Sequence, residues 1–220
     1  MLHEAWRLAD AADDALENEL DYAFDQNRGY LTACPTNVGT GLRVSTMLHM
    51  PALVLTKQAG PVLNALTKVG VAVRGLYGEG TEANGNIFQI SNQITMGRSE
   101  EEIINNLSTI TARLADQERK ARGILRKQSR WQLEDRVGRA YGVLTNARIL
   151  SSQETLQLIS DVRLGVDMKL LPDLDQRLLN KLMVYIQPAF LQISAGKEMT
   201  PFERDVHRSA VVRELIAEHS

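Results

Sequence analysis

Cys34-Pro-Thr-Asn-Val-Gly-Thr-Gly-Leu-Arg43 runs directly into Val44-Ser-Thr-Met-Leu-His-Met50, and the reading of this stretch decides the fold. From Leu42 onward polarity alternates. Leu42, Val44, Thr46, Leu48 and Met50 share one face, and Arg43, Ser45, Met47 and His49 share the other. A period of two is that of a half-buried strand, not of a helix. Pro51, which cannot donate to a ladder, ends the strand. The residues before it form a turn of small side chains, in which Gly39 and Gly41 open backbone conformations closed to other residues. That turn delivers Arg43 onto the strand's polar face.

Upstream, Leu2, Trp6, Ala9, Ala12, Leu16, Leu20 and Phe24 recur at helical spacing, which predicts one helix closed by Asn27 and Gly29. Downstream, residues 52–69 read as helical, split at Gly60-Pro61. Val71–Leu76 and Ile87–Ser91 read as two further short strands around a glycine-punctuated loop, Gly78 to Gly85. Ser99 with Glu102 forms a capping box that opens a long helix to about Gln128. Beyond it no strand signal survives. Ser151 with Glu154, Pro172, and Thr200-Pro201-Phe202-Glu203 each mark a helix start, the last combining N-cap, Pro at N1 and Glu at N3. The expected class is α+β: an antiparallel sheet flanked by helices over residues 1–125, then an all-helical domain over 126–220.

Twenty-five Lys+Arg against 27 Asp+Glu give a net charge of −2, which argues against a large nucleic-acid footprint. One cysteine cannot build a disulfide framework or a cysteine-based zinc site, so a reducing cytoplasm is the expected setting. No apolar run approaches the roughly 20 residues that span a bilayer, and the N-terminus has no signal-peptide pattern.

The phosphate loop G-x-x-x-x-G-K-[ST], G-x-G-x-x-G, H-E-x-x-H and G-x-S-x-G are all absent, and the four His have no metal-ligand spacing. Two segments remain. One is the Cys34–Arg43 turn. The other is Arg74-Gly-Leu-Tyr-Gly-Glu79-Gly-Thr-Glu82, where an arginine, three glycines and two carboxylates share a loop. Arginines with main-chain amides bind polyphosphate, and a nearby carboxylate can orient or deprotonate a nucleophile. The plain alternatives stand beside this. A glycine loop with one arginine is usually only a turn, and a lone cysteine is more often a small buried hydrophobe than a nucleophile.

Gly29-Tyr-Leu-Thr-Ala-Cys34-Pro-Thr-Asn-Val-Gly-Thr-Gly-Leu-Arg43 resembles the signature of the phosphagen (guanidino) kinases, and Arg74–Glu82 followed by Asn86-Ile-Phe-Gln-Ile-Ser-Asn92 is similar to their second block. Metabolite kinases of that superfamily carry a His after the Glu. Here Gly80 follows, and a helical extension runs to Ser220, as in the bacterial protein-arginine kinase branch. Arg204-Asp205-Val-His-Arg208-Ser209 resembles that branch's R-D-x-x-R-A motif, with Ser for Ala. By spacing alone it is a solvated charged helix, with Asp205 bracing Arg208 at i+3.

The resemblance implies ATP-dependent phosphorylation of protein arginines. ATP would be held by Arg43, Val44, Ser45, Thr46 and Met47 and by Arg74, Gly75, Leu76, Tyr77, Gly78 and Glu79, with Mg2+ carried on the phosphates. Glu79 would align the substrate guanidinium, and Cys34 would line its site. Arg204, Asp205, Arg208 and Ser209 would bind phosphoarginine as an allosteric ligand. The implied partners are proteins with exposed arginines, an activator protein, a heat-shock repressor and a Clp chaperone-protease that takes marked proteins, in a cytoplasmic homodimer without nucleic acid or membrane. The family's Asn-Glu-Glu-Asp-His and Ser-Ser-Arg-Ile-Arg segments do not occur here, so the likeness is to the later part of such a kinase, with an unpaired sheet edge and exposed apolar strand surface expected. A phosphoarginine-binding and dimerisation module without catalysis, and a small-guanidine kinase, are the alternative readings.

Overall fold

The computed structural model describes residues 2–75, 83–171 and 174–218. The first part contains α1 (Leu2–Glu17), β1 (Phe24–Asp25), β2 (Gly29–Tyr30), β3 (Ser45–His49), α2 (Pro51–Leu55), α3 (Ala59–Thr67), β4 (Val71–Gly75) and β5 (Ile87–Asn92). Helices α4 (Glu100–Gln128), α5 (Arg130–Asn146), α6 (Ser152–Asp167), α7 (Gln176–Tyr185), α8 (Pro188–Ala195) and α9 (Pro201–Ala217) follow. The sheet is antiparallel with order β3-β5-β4. This is the α+β arrangement that the alternation predicts, with a helical region after it.

The N-terminal helix is shorter than its periodicity. It ends at Glu17, and Phe24 instead pairs with Tyr30 in a small hairpin. The cause is local. Asp25 Oδ1 accepts the main-chain N–H groups of Asn27 and Arg28, both at 3.0 Å, and this Asx turn reverses the chain. The Phe24 and Tyr30 rings then meet edge-on at 5.2 Å. Helix α1 buries no residue fully and is tied to α4 where Trp6 Nε1–H donates to Glu100 Oε2 at 2.7 Å.

The helical stretch after β3 breaks at Lys57 (φ +59°), not at Gly60-Pro61, which falls inside the first turn of α3. Proline costs nothing there because its missing N–H has no intrahelical partner. Thr56 Oγ1 turns back onto the Ala52 carbonyl at 2.7 Å and closes α2. Pro172 lies outside the described residues. Helix α7 starts at Gln176, where Asp175 Oδ1 accepts the Arg177 N–H at 2.8 Å. Ser99 and Glu102 cap α4 reciprocally, and Thr200 and Glu203 do the same for α9.

Two cores run through the molecule. The first packs Met50, Leu53, Phe88 and Ile90 against Leu107, Leu114 and Ala121 of α4 and reaches Leu133, Val137 and Leu164. The second joins Ala140, Leu144, Ile159, Leu182 and Val212. Helices α5 and α6 therefore contribute to both. Glu118, only 4% exposed, accepts the N–H groups of Ala52 and Leu53 at 3.1 and 2.9 Å, pairs with Arg122 Nε at 2.8 Å, and through Arg122 reaches Asp167 on α6. A buried carboxylate this fully partnered fixes α4 against α2 and α6.

The turn before β5 sits directly on α6. At Gly85 (φ +66°) a Cβ would stand 2.9 Å from the Leu156 carbonyl, so the close approach requires glycine. Beside it Asn86 Nδ2–H donates to Ser160 Oγ at 2.8 Å, and Ser160 Oγ lies 2.8 Å from His49 Nε2. The Ser160 hydroxyl therefore bridges the Asn86 amide and the His49 imidazole. Burial pushes the His49 pKa down to about 3, helped by the nearby Arg163 and Arg122 charges.

Candidate functional site

Alternation along β3 places Arg43, Ser45 and Met47 towards solvent and Val44, Thr46 and Leu48 towards the core side, as the sequence predicts. Register builds the rest of the face. Met47 lies opposite Gln89, and Gln89 lies opposite Arg74; Ser45 faces Ser91, and Ser91 faces Ala72. Directly opposed residues share a face, so Arg74 on β4 and Arg43 just before β3 flank one exposed patch floored by Gln89 and Ser91. Two strand spacings, about 10 Å, separate them across the sheet, and four residues, about 13 Å, along it. Both arginines are exposed, and neither has an ion pair among the described residues. The Val44 side chain packs against the first core, its main-chain N–H and carbonyl are both bonded to Asn92, and Thr46 Oγ1 is buried without a partner, so these two back the face from the core side. Leu76, Tyr77, Gly78 and Glu79 lie outside the described residues; Gly75 ends β4.

Cys34 is exposed, unlike the small buried hydrophobe that a lone cysteine usually is. It precedes a single 3-10 turn, Pro35–Asn37, and its Sγ lies 3.0 Å from Thr36 Oγ1. The Thr36 hydroxyl, then the Thr36 main-chain N–H and the Arg43 charge, lower the thiol pKa from its ordinary value. The loop is held from behind. Asn92 Oδ1 accepts the Val44 N–H at 2.8 Å while its Nδ2–H donates to the Leu42 carbonyl at 3.0 Å. The Thr95 hydroxyl lies 2.8 and 3.1 Å from the Val38 and Thr36 carbonyls. Gly39 (φ +112°) allows the approach, since a Cβ there would stand 2.7 Å from Met96 Cα. Asn92 and Thr95 escape sequence reasoning because their partners are 48 to 59 residues away. The one visible signal is an amide at the strand end, two and four residues on from the buried apolar Ile90 and Phe88.

The R-D-x-x-R-S segment of α9 forms a second arginine cluster. Arg208 is 1% exposed; its Nε–H donates to the Ile186 carbonyl at 2.9 Å, and its Nη1 donates to the Leu150 carbonyl at 2.7 Å and to Asp205 Oδ1. Ser209 Oγ–H donates to the Arg148 carbonyl at 2.6 Å, Arg213 donates to the Ala147 carbonyl, and the Leu150 N–H donates to the Asp205 carbonyl at 3.1 Å. The whole α5–α6 connection is thus stitched to α9. The solvated charged helix of the spacing argument is replaced here by a buried clasp. Arg204 stands at its half-buried rim, with Nη1 donating to the Met199 carbonyl at 2.7 Å. His207 Nε2 lies 3.3 Å from Ser194 Oγ and links α9 to α8.

Among the described residues no three His, Cys, Asp or Glu side chains are placed to hold a metal ion, and no helix is long and apolar enough to cross a membrane.

Comparison with known proteins places these features. Residues 1–121 match the family model for the ATP:guanido phosphotransferase C-terminal catalytic domain, and residues 130–220 match that for the protein-arginine kinase McsB C-terminal domain. The chain is 86% identical over 217 residues to a protein-arginine kinase of Moorella thermoacetica, covering 99% of this chain and 62% of that one. It is 59% identical over 212 residues to a protein-arginine kinase of Symbiobacterium thermophilum, covering 96% and 60%. Among solved structures, a lombricine kinase is similar at 32% identity and a TM-score of 0.42, over 53% of this chain and 31% of that one. The chain spans about three-fifths of the length of the curated relatives it matches. With the glycine-rich turn, the two exposed arginines and two adjoining family models all on one chain, it belongs to the ATP:guanido phosphotransferase family.

Proposed function

We propose that this chain supplies the later part of the site of an ATP-dependent protein-arginine kinase, with residues 1–125 as the catalytic portion and 126–220 as a dimerising, phosphoarginine-binding domain. The observation that carries the reading is the exposed sheet face flanked by Arg43 and Arg74, with Cys34 at its margin. Two fixed cations facing one patch suit a polyphosphate, and phosphoryl transfer needs positioning and charge neutralisation more than covalent help. Ser45 and Met47 face the nucleotide, Val44 and Thr46 support the strand beneath it, and Leu76, Tyr77, Gly78 and Glu79 follow Gly75 in sequence and complete the nucleotide contacts in this reading. Mg2+ enters on the phosphates, a donor set that asks no cluster of the protein.

On the acceptor side, Glu79 aligns the substrate guanidinium and assists its loss of a proton, and Cys34, with its lowered pKa, favours a cation beside it. On the helical side, Arg204 and Asp205 contact phosphoarginine, while Arg208 and Ser209 hold them in place. Protein substrates with exposed arginines, an activator, a heat-shock repressor and a Clp chaperone-protease are the partners this reading brings, in the cytoplasm and as a homodimer.

Incubation with ATP and an arginine-rich protein tests the reading through acid-labile, base-stable phosphate. Transfer lost in Arg43→Ala or Glu79→Ala supports it. A second reading, a binding module without catalysis, is favoured by one observation: the α9 cluster is assembled from residues of this chain alone, with Arg204 and Asp205 at a half-buried rim. No transfer, together with phosphoarginine binding that is lost in Arg204→Ala, supports the module instead.

A further inference from the structure

Asn92 to Thr95, at and just beyond the end of β5, bind both ends of the loop that carries Cys34 and Arg43. Asn92 is 8% exposed, and its one amide binds the residue before Arg43 through Leu42 O and the residue after it through Val44 N–H. The neighbouring Gln93 carbonyl lies 3.4 Å from Arg43 Nη1. Thr95, 2% exposed, places its hydroxyl against the carbonyls of Thr36 and Val38, within and just after the turn that begins at Cys34.

We propose that Asn92 and Thr95 are positioning residues of the phosphoryl-transfer site, a two-point latch that fixes Arg43 and Cys34 in one frame. The proposal rests on reading this face as that site.

Chemistry separates the latch from ordinary packing. The β3–β5 ladder is regular from Ser45–Ser91 to His49–Ile87 and is complete without either side chain. At Arg43 the chain has left the ladder, and the Asn92 amide supplies one donor and one acceptor where main-chain rungs would have been. Both peptide planes flanking Arg43 are thereby fixed, and with them the direction of its Cα–Cβ bond. The Thr95 hydroxyl does the same for the turn whose Thr36 groups face the Cys34 thiol. Buried polar side chains spent wholly on loop backbone serve geometry rather than the core. Misplacing a catalytic group by about 1 Å costs on the order of a hundredfold in rate.

Cys34 is the single cysteine of the chain and is exposed, so its alkylation by iodoacetamide follows its thiolate fraction rather than access. In the intact chain, Thr95→Val exchanges the hydroxyl for a methyl of similar size, which cannot donate to the Thr36 and Val38 carbonyls. Its expected effect is an alkylation rate at neutral pH lower by about threefold, with the rate-against-pH curve displaced upward; Thr95→Ser restores the wild-type curve. Asn92→Ala displaces the curve in the same direction by less, through the Arg43 charge, and lowers kcat for phosphate transfer by about tenfold or more.

An alkylation curve unmoved in both Thr95→Val and Asn92→Ala, whether or not thermal stability falls, overturns the latch. A displaced curve in a chain that transfers no phosphate keeps the latch and removes the phosphotransferase reading. Normal transfer with an unmoved curve removes the latch alone.

Discussion

Arg43 and Arg74 stand exposed on the sheet with few partners among the described residues, whereas Arg208 is 1% exposed and spends its guanidinium on two carbonyls and a carboxylate. The same residue type is deployed in opposite ways within one chain. An exposed arginine keeps its donor fork for a ligand and contributes little to stability. A buried one orders the fold, and its removal leaves unpaired carbonyls behind. Charge and spacing look alike in the two cases, so burial and partners divide the roles.

The sharpest way to break this contrast is to exchange the readouts. Arg43→Ala and Arg74→Ala are each expected to lower phosphate transfer from ATP to protein by on the order of 10³-fold, the scale of an arginine that neutralises a transferring phosphoryl group. Their unfolding free energies in urea should move little, within about 0.5 kcal/mol of wild type. A large fall in stability for either variant would place it with Arg208 and end the distinction.

Arg208→Ala is the converse. Loss of the guanidinium strands the Leu150 and Ile186 carbonyls and leaves Asp205 without its partner, so the cost is about 3–5 kcal/mol in urea unfolding. The α5–α6 connection should gain amide hydrogen exchange first, since Arg208 binds it directly. A variant as stable as wild type would mean that the cluster is solvated in solution.

His49 tests the junction between the two regions by pH. Its folded pKa of about 3 lies below the ordinary 6.5, so between those values the unfolded chain binds a proton that the folded chain refuses. Stability contributed this way is complete above pH 6.5 and is lost progressively as pH falls towards 3. By pH 4.5 the loss is about 2–3 kcal/mol. His49→Gln should flatten that part of the unfolding-free-energy curve. An unchanged slope would show that the imidazole is not held neutral against Ser160.

Legibility in the sequence followed the range of the interaction. The strand through residues 42–50 was readable because period two is set by adjacent residues, and the starts of α4 and α9 because a capping box spans only three. The overlong first helix failed where Asp25 offered its backbone a competing turn. The split assigned to Gly60-Pro61 failed because proline is harmless in a first turn, while Lys57 gave no warning of its positive φ. Of the candidate sites, the exposed face bearing Arg43, Ser45 and Met47 followed from alternation. The placement of Arg74 on that face needed the register of β5. The burial of Arg208 depended on carbonyls 58 and 22 residues distant, which no local pattern records.

The smallest effect probes how well each region's helices are started. Thr200 and Ser99 take part in two-way boxes, with a Glu reaching back to the cap's own N–H; for Ser151 only the bond from the Glu154 N–H is formed. Thr200→Ala removes the acceptor for the Glu203 N–H and the donor that Glu203 receives, and should cost about 1 kcal/mol in urea unfolding. The Thr200 main-chain N–H, then its hydroxyl and the Lys197 charge, hold the Glu203 pKa below the usual carboxylate value. The cap's contribution is therefore complete above the ordinary glutamate pKa and is lost as pH falls through the lowered one. Ser151→Ala lacks the carboxylate half, so its cost should be smaller and should not share that acid dependence. Equal costs with equal pH profiles would mean that the reciprocal carboxylate adds nothing, and that α6 and α9 are held by their packed faces alone.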